Sequence, residues 1–359
     1  MNIRNLFISI IFVLLVSCQS SVNLTMVPIF AHDMPASLQY YKDLGFNTAV
    51  FIDAEQNLWP ELAKQAHQHG LYAIIMVKNA SQSVIEGFFP VAKRDGIDGF
   101  WINTHATLTP THVREIQKNW SKQTQRTTLL GLIFSEHHIN QQQDPFQFIN
   151  ETTGSNGSFR SSVVYFNDLA TNFFGQYFLL NLDSIDAQNT ASQLVKYYNW
   201  RAAFGKESLL INPFLLALPQ NYLNPELARA QITLTSSMND ALYVPISLYN
   251  QDLSPADTLL IKKLLTLRSQ YPAMYKGKRE NISYTSGVYI DLKTYGKQQL
   301  IIAVNFSNKA TITRLTYLKK FKLQGKTLTQ LLDNTTINLD PNNLSLSLKP
   351  YESSIWLVS

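Results

Sequence analysis

The side chains that could do chemistry stand at the ends of short apolar runs. Asp53 closes the run Asn47 to Asp53, and Asn79 follows Tyr72 to Lys78. Asn103 closes Gly99 to Asn103, with Trp101 two residues before it and His105 two residues after. Glu136, His137 and His138 follow Thr128 to Phe134. A carboxylate held beside a histidine makes an acid/base pair or two ligands of a metal. The plainer alternative is a polar rim that caps helices and satisfies loop backbone. Adjacent histidines on one loop point apart, and nothing in the sequence fixes their approach to Asp53, so the plainer alternative is favoured and neither a metal nor a cofactor is expected. The chain also has no cysteine pair, no zinc-type spacing and no glycine loop of the kind that cradles phosphate.

These residues become a set only if the runs before them are strands of one sheet. Eight β-rich runs alternate with longer amphipathic ones: Leu24 to Phe30, Asn47 to Asp53, Tyr72 to Lys78, Gly99 to Asn103, Thr128 to Phe134, Ser162 to Asn167, Ser208 to Phe214 and Leu242 to Tyr249. Between them, apolar residues at spacings of three and four predict helices over Leu58 to His69, Val84 to Arg94, Val113 to Lys122, Ala187 to Phe204, Pro225 to Ser236 and Ala256 to Gln270. Ser254-Pro255 reads as an N-cap followed by proline in the first turn, and Gly70 as a left-handed C-cap. The unbroken apolar run Ala73 to Val77 suits a strand covered on both faces, as in a parallel sheet shielded by helices. Eight such units predict an α/β fold, a (β/α)8 TIM barrel over residues 24–276; an open doubly wound sheet is the alternative. In such a barrel the strand ends form the rim where ligands are met. From Gly277 the texture changes. Ile282 to Leu292, Gln299 to Asn305, Thr311 to Tyr317 and Leu344 to Leu348 alternate apolar with polar, which predicts a C-terminal antiparallel β-sandwich over 277–359 with one wet face.

The 359 residues are 45% hydrophobic and 12% aromatic, enough for a large buried core. The net charge of +5 comes from scattered cations, with knots only at Lys262-Lys263, Lys276 to Arg279 and Lys319 to Lys322. Such knots are solvated surface rather than a phosphate-tracking stripe, so no nucleic-acid partner is expected. At the start, Arg4 precedes an apolar run from Leu6 to Val16 that is too short to span a bilayer and reads as an export signal over 1–17. It ends Leu15-Val16-Ser17-Cys18, which resembles the bacterial lipoprotein box, and Cys18 is the only cysteine in the chain. The resemblance implies a lipid on Cys18, a short linker over 18–23, and a cell-envelope location, periplasmic or at the outer membrane or cell surface. An ordinary signal peptide with an incidental cysteine is the other possibility.

Longer stretches resemble the α-amylase family, glycoside hydrolase family 13. Tyr41 to Val50 is similar to that family's first helix turning into its second strand, and Glu61 to Ile74 to the helix leading into its third. Leu267 to Met274 with Gly277 resembles the junction into the family's C-terminal domain, where Leu300 to Ser307 follows. The resemblance covers nearly the whole chain after Cys18, although the long loop after the third strand is nearly absent.

At the positions where the family keeps its acids, the resemblance implies loss. The third strand runs Ile75-Met76-Val77-Lys78-Asn79-Ala80, and of the family's polar residues there only Asn79 is kept. On the fourth, Asn103 stands where the nucleophilic aspartate is expected and Trp101 where an arginine is expected. On the fifth, a direct match puts Leu132 at the general acid, and a shift of four residues offers Glu136. Around Asn212 to Leu216 no third carboxylate occurs between Glu207 and Glu226. Retaining cleavage needs two carboxyl groups about 5 Å apart, and an amide cannot form the glycosyl ester. Trp101 could stack a sugar ring or plug the cavity left by the arginine, with Ile75 and Leu132 as further apolar replacements. The expected protein is catalytically silent and binds an oligosaccharide or an envelope protein, with Asp53, Asn79, Trp101, Asn103, His105, Glu136 and His137 as candidate contacts. In this it resembles the membrane-tethered, degenerate amylase barrels of certain amino-acid transporter heavy chains. The competing expectation is an active α-glycoside hydrolase or transglycosidase that has recruited Glu136 with Asp53 or Asp168.

Overall fold

The computed structural model describes residues 23–31, 36–78, 82–104, 115, 119, 129–134, 163–166, 209–211, 225–238, 242–244, 253–283, 287–315, 323, 325–339 and 345–359. Eight strands form one parallel sheet: β1 (Thr25–Phe30), β2 (Thr48–Ile52), β3 (Tyr72–Lys78), β4 (Gly99–Thr104), β5 (Leu129–Phe134), β6 (Val163–Phe166), β7 (Leu209–Ile211) and β8 (Leu242–Tyr243). Their order is β7-β6-β5-β4-β3-β2-β1-β8, with β8 returning to the free side of β1. Every connection therefore steps to a neighbour except the last, which is the order of a β/α barrel unrolled between β7 and β8. The helices described among them are α1 (Ala36–Leu44), α2 (Trp59–Gln68), α3 (Gln82–Asp95), α4 (Pro225–Ser236) and α5 (Pro255–Gln270). The expected helices over Val113 to Lys122 and Ala187 to Phe204 lie outside the described residues, apart from 115 and 119.

Alternation along the strands separates two cores. Val27, Ile29, Ala49, Phe51, Ala73, Ile75 and Phe100 belong to one buried cluster with Leu38, Trp59, Leu62 and Ala66 of the helices. Phe100 lies 5.4 Å from Trp59 and 5.3 Å from Phe88, ring centre to ring centre. Each such aromatic pair adds about 1 kcal/mol beyond the area it buries. The intervening residues Met26, Val50, Ile52, Ile74 and Trp101 are equally buried but stand outside that cluster. They belong to the face turned away from the helices, since successive strand residues point to opposite sides.

The helix ends follow from local chemistry. Ser254 Oγ accepts the Asp257 amide at 3.1 Å, with Pro255 in the first turn of α5. Gly70, at φ +66, sits just past α2 in the left-handed conformation that a side chain disfavours.

After α5 a single turn, α6 (Ala273–Lys276), leads into antiparallel strands. A Cβ on Gly277 would lie 2.3 Å from the Ala273 carbonyl oxygen, so only glycine fits this bend. A six-stranded sheet, order β14-β13-β16-β11-β10-β9, is built from β9 (Lys278–Ser283), β10 (Val288–Tyr295), β11 (Gln298–Asn305), β13 (Thr327–Gln330), β14 (Thr336–Asn338) and β16 (Ser353–Val358). A separate pair joins β12 (Thr311–Arg314) to β15 (Ser345–Leu348).

Two expectations are corrected here. The run Ile282 to Leu292 is two strands, β9 and β10, paired through an irregular register between Ile290 and Asp291. The large sheet has no wet face along its centre. Val288, Ile290 and Leu292 pack into the domain's own core with Leu328, Leu346 and Trp356, while Tyr289, Ile302, Val304 and Ile355 join the cluster of the parallel sheet and its helices. Two covered faces explain why six successive residues of β10 are buried.

Two buried cations lock the elements where the two sheets meet. Arg268 of α5 is 1% exposed. Its Nη1 donates to the carbonyls of Ser236 and Met238 at 2.8 Å each, and its Nε to Asn23 Oδ1 at 2.7 Å. Lys293 of β10, also 1% exposed, donates to the carbonyls of Ser237 and Met274. Three consecutive carbonyls, from the last residue of α4 onward, are thus held by positive charge, which suits the negative end of the helix dipole.

Candidate functional site

The candidate site follows from the register at the carboxyl end of the parallel sheet. One row of backbone partners runs Met76, Trp101, Gly131, Val164, Leu209. The next, one step nearer the strand ends, runs Lys78, Asn103, Ile133, Phe166, Ile211. The Phe100 ring packs on the helices, so Trp101 belongs to the opposite face, and Asn103 holds the position two residues on in the same alternation. Across these five strands neither row contains a carboxylate.

This register corrects the sequence reading of two positions. Leu132 pairs with Ile102, and the partner of Asn103 is Ile133. Ile75 pairs with Phe51 and Phe100 and packs in the helix-side cluster. A one-residue slip moves a strand residue to the other face, so neither Leu132 nor Ile75 belongs to the row of Trp101. Trp101 itself is 2% exposed. An indole so enclosed fills space and offers no open ring face to a sugar.

Asp53 lies immediately past the end of β2, exposed, at φ 54. Phe51, Ile75 and Phe100 share a register row, so a position two residues past Phe51 comes level with Ile102 and not with Asn103. β2 and β4 are two strand spacings apart, ~10 Å. Asn79, His105, Glu136, His137, His138 and Asp168 lie outside the described residues, as does Cys18. Among the described residues no three His, Cys, Asp or Glu side chains are grouped as a metal site would need.

A cluster that the sequence reading passed over lies at the opposite pole, where strands begin and helices end. Asp98, just before β4, accepts the Ala73 amide at 2.8 Å and pairs with His67 Nε2 at 2.7 Å through the same oxygen. The carboxylate ties the entry of β4 to that of β3 and to the last turn of α2. Beside it is a shallow cleft of about 510 Å³ between α2 and α3, lined by Pro60, Lys64, His67, Gln68, Arg94, Asp95 and Gly96. Arg94 grips Asp95 through two hydrogen bonds of 2.5 and 2.8 Å. Burial is the first cause pushing the Asp291 carboxyl well above its usual range, partly offset by Lys293. Its Oδ2 accepts from Arg279 Nε and the Tyr289 hydroxyl, while its buried Oδ1 has no partner among the described residues. Asp291 is thus part of the junction between the sheets, far from the strand-end rows in sequence and element.

No model of a protein family matches the sequence, and no curated protein is significantly similar to it. Solved structures are. The α-amylase of Geobacillus thermoleovorans complexed with acarbose superposes with a TM-score of 0.72 at 12% identity, covering 94% of this chain and 98% of that one. The chain has the α-amylase fold. A noncanonic maltogenic α-amylase from Thermotoga neapolitana (TM-score 0.67, 10% identity) and trehalose-6-phosphate hydrolase from Bacillus licheniformis (0.65, 10%) match over 94% of this chain, and over 98% and 99% of their own. These are glycoside-cleaving enzymes built as a barrel with a C-terminal β domain.

Proposed function

We propose that this chain is a lipid-anchored envelope protein in which an α-amylase barrel has become a binding scaffold and no longer cleaves glycosidic bonds. The observation that carries the reading is the strand-end row Lys78, Asn103, Ile133, Phe166, Ile211, an amide at the expected nucleophile and no acid on any of the five strands. Cleavage with retention needs one carboxylate to attack the sugar carbon and a second carboxyl to protonate the leaving oxygen. An amide does neither, and removing a covalent nucleophile typically costs several powers of ten in rate.

The fold also frames what is bound. A sugar site needs convergent polar groups and an aromatic platform. Here the row is mostly apolar, with Phe166 its one aromatic residue, and Trp101, on the same face one row below, is enclosed. These features favour a protein partner in the envelope over an oligosaccharide in the former cleft. The anchor is Cys18, at the end of the leader, and among the described residues no helix is long and apolar enough to cross a membrane.

The test is direct. Protein lacking residues 1–18 is incubated with α-glucans and trehalose, and no reducing sugar or glucose is released. Release that disappears in Glu136→Gln would refute the silent-scaffold reading and restore the active hydrolase. Calorimetric titration with maltooligosaccharides gives no heat if the partner is a protein, whereas saturable binding transfers the function to a glycan.

A further inference from the structure

The place where β1 begins decides which pole of the barrel meets the membrane. β1 starts at Thr25, so Asn23 lies at the floor, the end of the barrel where all parallel strands begin. Asn23 is pinned there: its Oδ1 accepts from Arg268 Nε at 2.7 Å and its carbonyl from Asn47 Nδ2 at 2.5 Å. Five peptide units separate it from Cys18, a reach of at most ~18 Å. To bring the mouth to the bilayer, that tether would have to clear a ring of helices ~10 Å thick and then climb a strand layer ~20 Å tall. The tether is too short for that path, while it reaches the floor side without strain.

The floor has the surface such a position calls for. The cleft between α2 and α3 runs down the side of the barrel from Pro60 to the floor at Gln68 and presents Lys64, His67 and Arg94, with the Lys64 and Arg94 side chains 65% and 69% exposed. Lys64 is held only by the exposed Glu61 at 3.7 Å, a pair that exchanges readily for other anions, whereas Arg94 keeps its charge-bearing edge on the nearly buried Asp95 at 2.5 Å. Tyr72, at the start of β3 and next to the Ala73 amide that binds Asp98, is 47% exposed. Tyrosine and long cationic side chains suit the interface between water and acyl chain, with the ring or stem against apolar surface and the polar tip in the headgroup layer.

We propose that the barrel floor around the α2–α3 cleft rests on the phospholipid headgroup layer, with the mouth turned away from the membrane that holds the anchor. This rests on the lipidation of Cys18. It assigns the partner-binding rim to the far side of the molecule, where it meets soluble proteins or the opposite face of the envelope.

The test uses full-length protein purified with its lipid and reconstituted into phosphatidylethanolamine/phosphatidylglycerol vesicles containing a headgroup spin-labelled lipid. The sulfur of Cys18 is consumed in the anchor, so an introduced cysteine is the single dye site. The variants are Tyr72→Cys on the floor and Leu58→Cys in the turn before α2 on the rim, with Gln68→Cys, the exposed last residue of α2, as a second floor position should Tyr72→Cys fail to fold. Floor dyes are quenched at least threefold more than the rim dye. Equal quenching, stronger quenching at Leu58, or none at either pole would overturn the orientation. Intact mass of the same preparations separates the two readings, because an unmodified Cys18 refutes the anchor itself, whereas a lipidated chain with a quenched rim refutes only the floor-down arrangement.

Discussion

Replacing Arg268 by methionine removes a guanidinium that three parts of the chain use at once. The Ser236 and Met238 carbonyls lose donors at 2.8 Å, and Asn23 Oδ1 loses one at 2.7 Å. A hydrogen bond to a charged group contributes roughly 1.5–3 kcal/mol, and a buried carbonyl left alone costs a similar amount. Part of that is returned because methionine spares the burial of a charge, so the expected net loss is about 3–4 kcal/mol. With an unfolding entropy of roughly 2 cal/mol/K per residue, 359 residues give ~0.7 kcal/mol/K. The melting temperature of Arg268→Met should therefore fall by about 5 °C in scanning calorimetry at fixed scan rate. Amide exchange over Leu24 to Val27 should quicken as well, because Asn23 no longer ties down the start of β1. A variant that melts within about 1 °C of the parent would refute the idea that this side chain joins α4, α5 and the first strand.

Two smaller perturbations probe other parts of the same reasoning. Ser254→Ala deletes the cap of α5 and should cost about 1 kcal/mol in urea denaturation with an unchanged m-value; no change would mean that Pro255 alone fixes the helix start. Asp291 bears on pH. Its folded-state carboxyl titrates well above the ordinary 3.8, with burial the leading cause, so it takes up a proton on folding. Its contribution is then most favourable in acid and declines as pH climbs from 3.8 through the raised value. Asp291→Asn should flatten that decline in urea midpoints measured from pH 4 to pH 8, and parallel profiles for parent and variant would discount the carboxyl.

The sequence was legible where local chemistry and burial agree. Ala73 to Val77 reads as a strand covered on both sides, and β3 is one. Pro225 to Ser236 carries helical spacing and is a helix with those bounds. Ser254-Pro255 and Gly70 mark helix ends through a hydroxyl acceptor, a fixed φ and a missing Cβ, properties that need no distant partner. Strand parity was harder to read. Leu130 to Ile133 is apolar throughout, so nothing in the run distinguishes Leu132 from Ile133, and only pairing with β4 puts Ile133 opposite Asn103. The strands Thr327–Gln330, Thr336–Asn338 and Ser353–Val358 escaped notice because two are too short for a pattern and the third is set by pairing between β11 and β13. Charged residues inside the junction were missed for a related reason: a lysine in an alternating run looks solvated until a second domain covers it. Of the candidate site, the one strand that bears both Trp101 and Asn103 was legible, and their faces were left to the register.

The doubly covered sheet also limits how this molecule can change over time. Tyr289, Ile302, Val304 and Ile355 are judged by barrel helices, while their immediate neighbours Ile290, Ile301 and Trp356 are judged by the opposite layer. Drift on one side of those strands must be matched by drift in the helix Pro225–Ser236, far earlier in the chain, so the two halves evolve as a single inheritance.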